Sequence, residues 1–202
     1  MTNETLVAYL KDTGAITSAA VEDAFRAIHR ARFVTEESKA SAYLDTALPI
    51  GEGQTISQPT VVAFCLESLG VQPGDRVLDV GSGSGWTTAL LAHMVGPAGS
   101  VVGVDRIPEL VAFGSKNLSV YGFPQAHIEQ SGRELGKPEA APFDRILVSA
   151  SADVVPDVLM QQLKDGGRMV ISVRNAICVV DRTNDHFKTV CHEGYAFVPL
   201  IT

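Results

Sequence analysis

The run Arg76-Val77-Leu78-Asp79-Val80 ends in Gly81-Ser82-Gly83-Ser84-Gly85, and Trp86 to Val95 then has helical composition up to Gly96-Pro97. A short apolar strand that discharges through a glycine turn straight into a helix is the opening unit of a parallel α/β sheet. The alternation continues. Ser100 to Asp105 reads as a second strand. Pro108 to Tyr121 reads as a second helix, with Pro108 in its first turn and Gly122 past its end. Ala126 to Glu129, Arg145 to Ala150 and Arg168 to Val173 are three more strand candidates, with a helix over Pro156 to Leu163 before the last. Ala176 to Asp181 and Thr189 to Leu200 have no long helix between them, which predicts antiparallel neighbours. The pattern therefore predicts an α/β fold: a doubly wound, mostly parallel sheet, covered on both faces, with a C-terminal antiparallel strand pair.

Residues 1–72 read differently and predict a helical extension packed on a main domain of residues 73–202 as one compact unit. Glu4 to Lys11 is a short helix candidate that stops near Gly14. Thr17 or Ser18 can cap a second helix, in which Val21, Ala24, Phe25 and Ile28 recur at helical spacing. Arg30 to Ser41 is polar and reads as irregular. The segment from Tyr43 to Pro59 has two glycines, two prolines and no helical period. After it, Val61, Val62, Cys65, Leu66 and Leu69 define an amphipathic helix with Pro59 in its first turn.

Parallel sheets bind ligands beyond the carboxyl ends of their strands, so the residues just after each strand matter most. Glycines at 81, 83 and 85 let backbone approach a ligand closely. A dinucleotide site requires G-x-G-x-x-G, which would place its third glycine where Trp86 stands. An indole there is expected to block the approach of a pyrophosphate. The observed G-x-G-x-G, preceded by Asp79, fits a nucleoside ligand without pyrophosphate, of which S-adenosylmethionine is the commonest. Asp105 ends the next strand, where a carboxylate can accept both ribose hydroxyls. Asp79 reads either as a cofactor contact or as an acid that caps the turn.

Bulk properties narrow the partners. The net charge is −7, with acids spread along the chain, which disfavours a nucleic-acid backbone as partner. Cys65, Cys178 and Cys191 are odd in number and far apart, so they read as reduced thiols rather than as a disulfide framework or a metal site. The five histidines show no HxxH or HExxH spacing, and no metal is expected. No apolar run approaches the roughly 18 residues that a membrane span needs. The N-terminus lacks the basic and apolar regions of a signal peptide. A cytoplasmic monomer with no membrane partner is the expectation.

From about Val21 to Leu200 the sequence resembles the protein-L-isoaspartate O-methyltransferase family. The most specific element is Leu48-Pro49-Ile50-Gly51-Glu52-Gly53-Gln54-Thr55-Ile56-Ser57-Gln58-Pro59. Arg32-Phe33-Val34, Pro73-Gly74-Asp75-Arg76-Val77-Leu78, Ala141-Pro142-Phe143-Asp144 and Phe197-Val198-Pro199-Leu200 support it. The resemblance implies a Rossmann-like methyltransferase fold. It also implies transfer of a methyl group from S-adenosylmethionine, leaving S-adenosylhomocysteine, to the carboxylate of L-isoaspartyl residues in damaged proteins or peptides. By the same resemblance Ser57 is the catalytic residue, its hydroxyl holding the acceptor carboxylate. The other reading of Ser57 is a cap for the helix that follows. Ile50, Gly51, Thr55 and Ile56 would contact the substrate. The cofactor would meet Ile56, Asp79, Gly81, Ser82, Gly83, Gly85, Asp105, Arg106, Ser131 and Gly132.

A carboxylate is already an anion at neutral pH and needs no general base to attack a sulfonium methyl. The chemistry asks mainly for alignment and exclusion of water. Two departures from the family pattern stand out. Gln130-Ser131-Gly132 replaces Gly-Asp-Gly, so an uncharged Ser131 stands where an acid normally faces the adenine amino group. Ser172-Val173-Arg174 replaces Pro-Val-Gly, and Arg174 reads either as a substrate-mouth residue or as a surface arginine. These departures leave open a carboxylate methyltransferase dedicated to one peptide, or a weakly active nucleoside-binding relative. Trp86 speaks against a nicotinamide-dependent dehydrogenase.

Overall fold

The computed structural model describes residues 1–195 and 197–200. Its centre is a seven-stranded sheet built from β3 (Arg76–Val80), β4 (Ser100–Asp105), β5 (Ala126–Gln130), β6 (Phe143–Ala152), β7 (Leu163–Val173), β8 (Ala176–Thr183) and β9 (His186–Glu193). The order is β5-β4-β3-β6-β7-β8-β9. All neighbours from β5 to β7 are parallel, whereas β7–β8 and β8–β9 are antiparallel. From β3 the chain moves one way to β4 and β5, then returns to lay β6 on the other side of β3. That reversal opens a crevice beyond the carboxyl ends of β3 and β6, where such sheets bind ligands.

Strand burial follows the two-residue period. Val77, Leu147, Val170 and Ile177 enter one hydrophobic cluster, while Leu78, Ile146, Met169 and Cys178 enter the cluster on the opposite face. The first cluster also takes in the N-terminal helices α1 (Asn3–Asp12), α2 (Ala19–Ala27) and α3 (Pro59–Leu69), with α4 (Trp86–Val95) and α5 (Pro108–Ser119). Leu6, Leu10, Phe25, Leu66, Leu90 and Val170 thus share one continuous core. Side chains cap the first two helices. Thr2 and Thr5 form a capping box on α1, and the Ser18 side chain accepts a hydrogen bond from Val21 N.

Three expectations are corrected here. The helix over Pro156 to Leu163 is a single turn, α6 (Asp157–Met160), because Leu163 already belongs to β7. Between them Gln162 is buried and hydrogen-bonded through its side-chain amide to Leu135 O, Val158 O and Lys137 N. The final strand begins at His186, not Thr189. Asn184 and Asp185 both take positive φ, 48° and 62°, and close a two-residue hairpin. The chain leaves the sheet after Glu193, with Ala196 outside the described residues. It returns to bracket Ser151, whose N donates to Val198 O at 2.8 Å and whose carbonyl accepts from Leu200 N at 2.8 Å. Third, Cys178 and Cys191 form a disulfide rather than standing as reduced thiols. The hairpin register places them directly opposite one another, a pairing that their separation of 13 residues does not reveal without the turn. Cys65 alone is free, and burial pushes its thiol up to about 12. Among the described residues no helix is long and apolar enough to cross a membrane.

Candidate active site

The glycine turn after β3 is shaped by what lies behind it. Gly85 has φ +85°, and a Cβ there would lie 2.8 Å from the Gly114 carbonyl of α5 and 2.9 Å from Ile128. Only glycine allows that packing. Gly83 has φ +51° and lies against Ile50, so the turn and the N-terminal hairpin meet at this residue. Gly81 N and Ser82 N both donate to Val104 O, tying the turn to β4.

Asp105, at the end of β4, is buried at 8% exposure. Its Oδ2 accepts from Gly83 N at 2.8 Å and its Oδ1 from Ile107 N at 3.0 Å. A carboxylate has about four acceptor sites, so about two remain for a ligand. Ser131 N donates to the Asp105 carbonyl at 2.8 Å, which brings the β5 loop beside this acid.

Asp79 is fully buried beneath the turn. Its Oδ2 accepts from the hydroxyls of Thr87 at 2.7 Å and Thr88 at 2.6 Å, in the first turn of α4. Burial pushes its carboxyl up to about 6, and these hydroxyls oppose that shift. Oδ1 has no partner of good hydrogen-bond geometry, although the Ser149 hydroxyl is near enough to favour the charged form.

Trp86 does not act as the sequence suggests. Its ring points away from the turn into the core, edge-on to Phe25 at 5.5 Å and beneath the Arg30 guanidinium at 5.3 Å. The indole therefore does not obstruct the mouth of the turn.

A cavity of about 660 Å³ lies over the switch point, within the roughly 300–1,000 Å³ typical of small-molecule sites. Of the residues expected to bind ligand, Ile50, Thr55, Gly81, Gly83, Asp105, Arg106, Ser131 and Gly132 line it. Ile56, Ser57 and Ser82 line a small adjoining crevice, which shares Thr55, Gly81, Gly83 and Ser149 with the main cavity. Asp79 and Gly85 line neither and act from behind the turn; Gly51 sits exposed in the hairpin turn with φ 98°. Sequence reasoning missed Gln54, Arg133, Glu134 and the returning Val198–Leu200 segment as cavity walls. Arg174 is exposed in the β7–β8 turn at φ 53° and lines neither space.

The second half of the site is the hairpin of β1 (Leu48–Gly51) and β2 (Gln54–Ile56), which leads into α3 through Ser57 and Gln58. Asp45 provides the cap for α3. Its Oδ1 accepts from Thr60 N at 2.8 Å, and its Oδ2 accepts from the Thr60 hydroxyl at 2.7 Å and from the Gln58 amide at 3.1 Å. The capping role considered for Ser57 is thus filled by another residue, and the half-buried Ser57 is held by its carbonyl, which accepts from Arg30 at 3.0 Å.

The residues present fit S-adenosylmethionine. The main cavity offers the Asp105 carboxylate for a ribose. At the small crevice the buried Ser82 Oγ lacks a hydrogen-bond partner. Buried polar atoms are rarely left so, and the charged amino-acid end of the nucleoside is the kind of group that would satisfy this hydroxyl. Among the described residues no group of three or more His, Cys, Asp or Glu side chains is placed to hold a metal ion.

A parallel sheet with its switch point at β3, a glycine turn entering α4 and an acid ending β4 define a Rossmann-like nucleoside site of the methyltransferase class. The sequence profile of the protein-L-isoaspartate(D-aspartate) O-methyltransferase family matches residues 1–202, and the chain belongs to this family. It is 44% identical over 204 residues to the protein-L-isoaspartate O-methyltransferase of Methanopyrus kandleri, covering 98% of this chain and 90% of that one. It is 49% identical over 172 residues to the enzyme of the same name from Anaeromyxobacter dehalogenans, covering 85% and 80%. A crystal structure from Plasmodium falciparum, described as a protein-L-isoaspartate O-methyltransferase in complex with S-adenosyl-L-homocysteine, superposes with a TM-score of 0.88 at 26% identity. That match covers 100% of this chain and 99% of the other.

Proposed function

We propose that this protein transfers a methyl group from S-adenosylmethionine to the carboxylate of L-isoaspartyl residues in proteins or peptides. The observation that carries the reading is the junction at Ser57. A serine freed from capping by Asp45 lines a crevice continuous with the glycine-turn cavity. S-adenosylmethionine supplies an electrophilic methyl group on a sulfonium. Asp105 would hold the ribose and Ser82 the amino-acid end, with Asp79 bracing the turn from behind. Ser131 and Gly132 border the base. Ser57 donates its hydroxyl proton as a hydrogen bond to the acceptor carboxylate and fixes its line of attack. Ile50, Thr55 and Ile56 border the acceptor. The carboxylate oxygen forms the new O–C bond as the methyl–sulfur bond breaks with its electron pair to sulfur, and no proton moves. Nothing in the step calls for a general base, and the residues' task is alignment and exclusion of water.

The product is the test. Incubation with labelled S-adenosylmethionine and an isoaspartyl peptide is expected to give a base-labile methyl ester. A base-stable methyl group, as on nitrogen, would refute carboxylate transfer.

Ser131 makes a separate forecast. Ser131→Asp restores a charged acceptor beside Asp105, and charge-assisted hydrogen bonds are roughly twice as strong as neutral ones. Affinity for S-adenosylhomocysteine by calorimetry is expected to rise about fivefold, equivalent to about 1 kcal/mol. A flat or lower affinity would show that Ser131 does not face the base, or that the site is already fitted to serine.

A further inference from the structure

Arg30 is a side chain that the chemistry above does not use and the fold does not obviously need. It is fully buried, at 0% exposure. Among the described residues it forms no salt bridge. Its guanidinium instead donates to four backbone carbonyls. Nη1 reaches Ala42 O at 2.8 Å and Leu44 O at 3.2 Å; Nη2 reaches Thr46 O at 2.8 Å and Ser57 O at 3.0 Å. Its plane lies over Trp86, the first residue of α4 and the next residue after the glycine turn.

Burying a cation against carbonyl dipoles is costly, and well-packed apolar side chains often stabilise such a position better. What an apolar chain cannot do is tie together two separated stretches of carbonyls, Ala42 to Thr46 and Ser57. The planar fork of arginine does this, and a lysine ammonium, a compact point charge, does not reproduce it. The segments it joins are the arm that carries Asp45, the cap of α3, and Ser57 itself. Through Trp86 the same guanidinium rests on the helix that begins at the cofactor turn.

We infer that Arg30 is a positioning residue for methyl transfer, which sets Ser57 against the cofactor turn by gripping the Ser57 carbonyl while resting on Trp86. The inference rests on the catalytic reading of Ser57 and adds a residue that acts only through it. Misplacement of a reacting group by about 1 Å can cost on the order of 10²-fold in rate, so a modest shift of this carbonyl is enough to be measured.

The test uses Arg30→Lys, which keeps the buried charge, and Arg30→Met, which keeps the apolar stem. Each is made alone and with Ser57→Ala in the full chain. Turnover of an isoaspartyl peptide is expected to fall about tenfold or more in each single variant, with affinity for S-adenosylhomocysteine within about threefold of the parent. Because Arg30 acts through Ser57, the same change in the Ser57→Ala background should alter turnover by less than about threefold. Backbone amide exchange, which needs no activity, should quicken over residues 42–60 and stay unchanged in β3 and β4. A full-sized Arg30 effect in the Ser57→Ala background, normal turnover in both single variants, or exchange that quickens everywhere would overturn the inference. So would failure of both variants to fold, which would make Arg30 a requirement of the fold alone. A parent protein that methylates no carboxylate would instead refute the proposed function, and the exchange result would still judge the grip of Arg30 on the hairpin.

Discussion

Ser57→Ala is expected to slow methyl transfer about 10²-fold while leaving the melting curve and the cofactor affinity nearly unchanged. The reasoning begins with the helix cap. Had the hydroxyl capped α3, its loss would cost ~0.5–2 kcal/mol of stability and little turnover. Asp45 fills that place with bonds to Thr60 N, the Thr60 hydroxyl and the Gln58 amide, so stability has little reason to respond. Arg30 holds the Ser57 carbonyl, which the substitution retains, so the backbone path should survive. What disappears is one hydrogen bond to the attacking carboxylate. A 10²-fold loss corresponds to ~2.7 kcal/mol of transition-state stabilisation, within reach of one charge-assisted bond plus the alignment it enforces. The measurement is a radiolabelled methyl-transfer rate paired with thermal unfolding. A large drop in melting temperature with normal turnover would reassign Ser57 to the fold.

Asp105→Ala should raise the dissociation constant of S-adenosylhomocysteine by an amount equivalent to ~1–3 kcal/mol. In solution terms that is on the order of 5- to 150-fold. Two losses combine. The ribose hydroxyls lose their acceptor, and Gly83 N and Ile107 N lose the oxygens that hold the turn ready. The second loss predicts a lower melting temperature in the absence of ligand as well, which separates Asp105 from Ser57 in the same pair of assays. Calorimetry on the folded variant decides. An unchanged dissociation constant would place the ribose elsewhere in the cavity.

The sheet and its ligand edge were legible because their signals are local. Val77 and Leu78, Ile146 and Leu147, and Met169 and Val170 are apolar on both faces, as a covered parallel strand requires. The glycine turn and Asp105 follow from strand ends and spacing alone. Where the reading failed, the deciding partner was distant in sequence. Trp86 looked like an obstruction because its orientation depends on Phe25 and Arg30, some 60 residues earlier in the chain. Arg30 lay in a polar stretch read as irregular, and the carbonyls it grips leave no trace in side-chain identity. The bond between Cys178 and Cys191 became visible only once Asn184-Asp185 fixed the hairpin register. The helix before β7 is short because Leu163 already pairs with Phe143 in the sheet, a contact distant in sequence.

The most direct test of the account is the acceptor itself. Two peptides of identical sequence are compared, one linked through the side-chain carboxyl as L-isoaspartate and the other through the normal aspartyl bond, with labelled S-adenosylmethionine and the parent protein. The account predicts rapid methylation of the isoaspartyl peptide and negligible methylation of its normal partner. Equal rates on both, or no transfer to either while S-adenosylhomocysteine binds tightly, would contradict it.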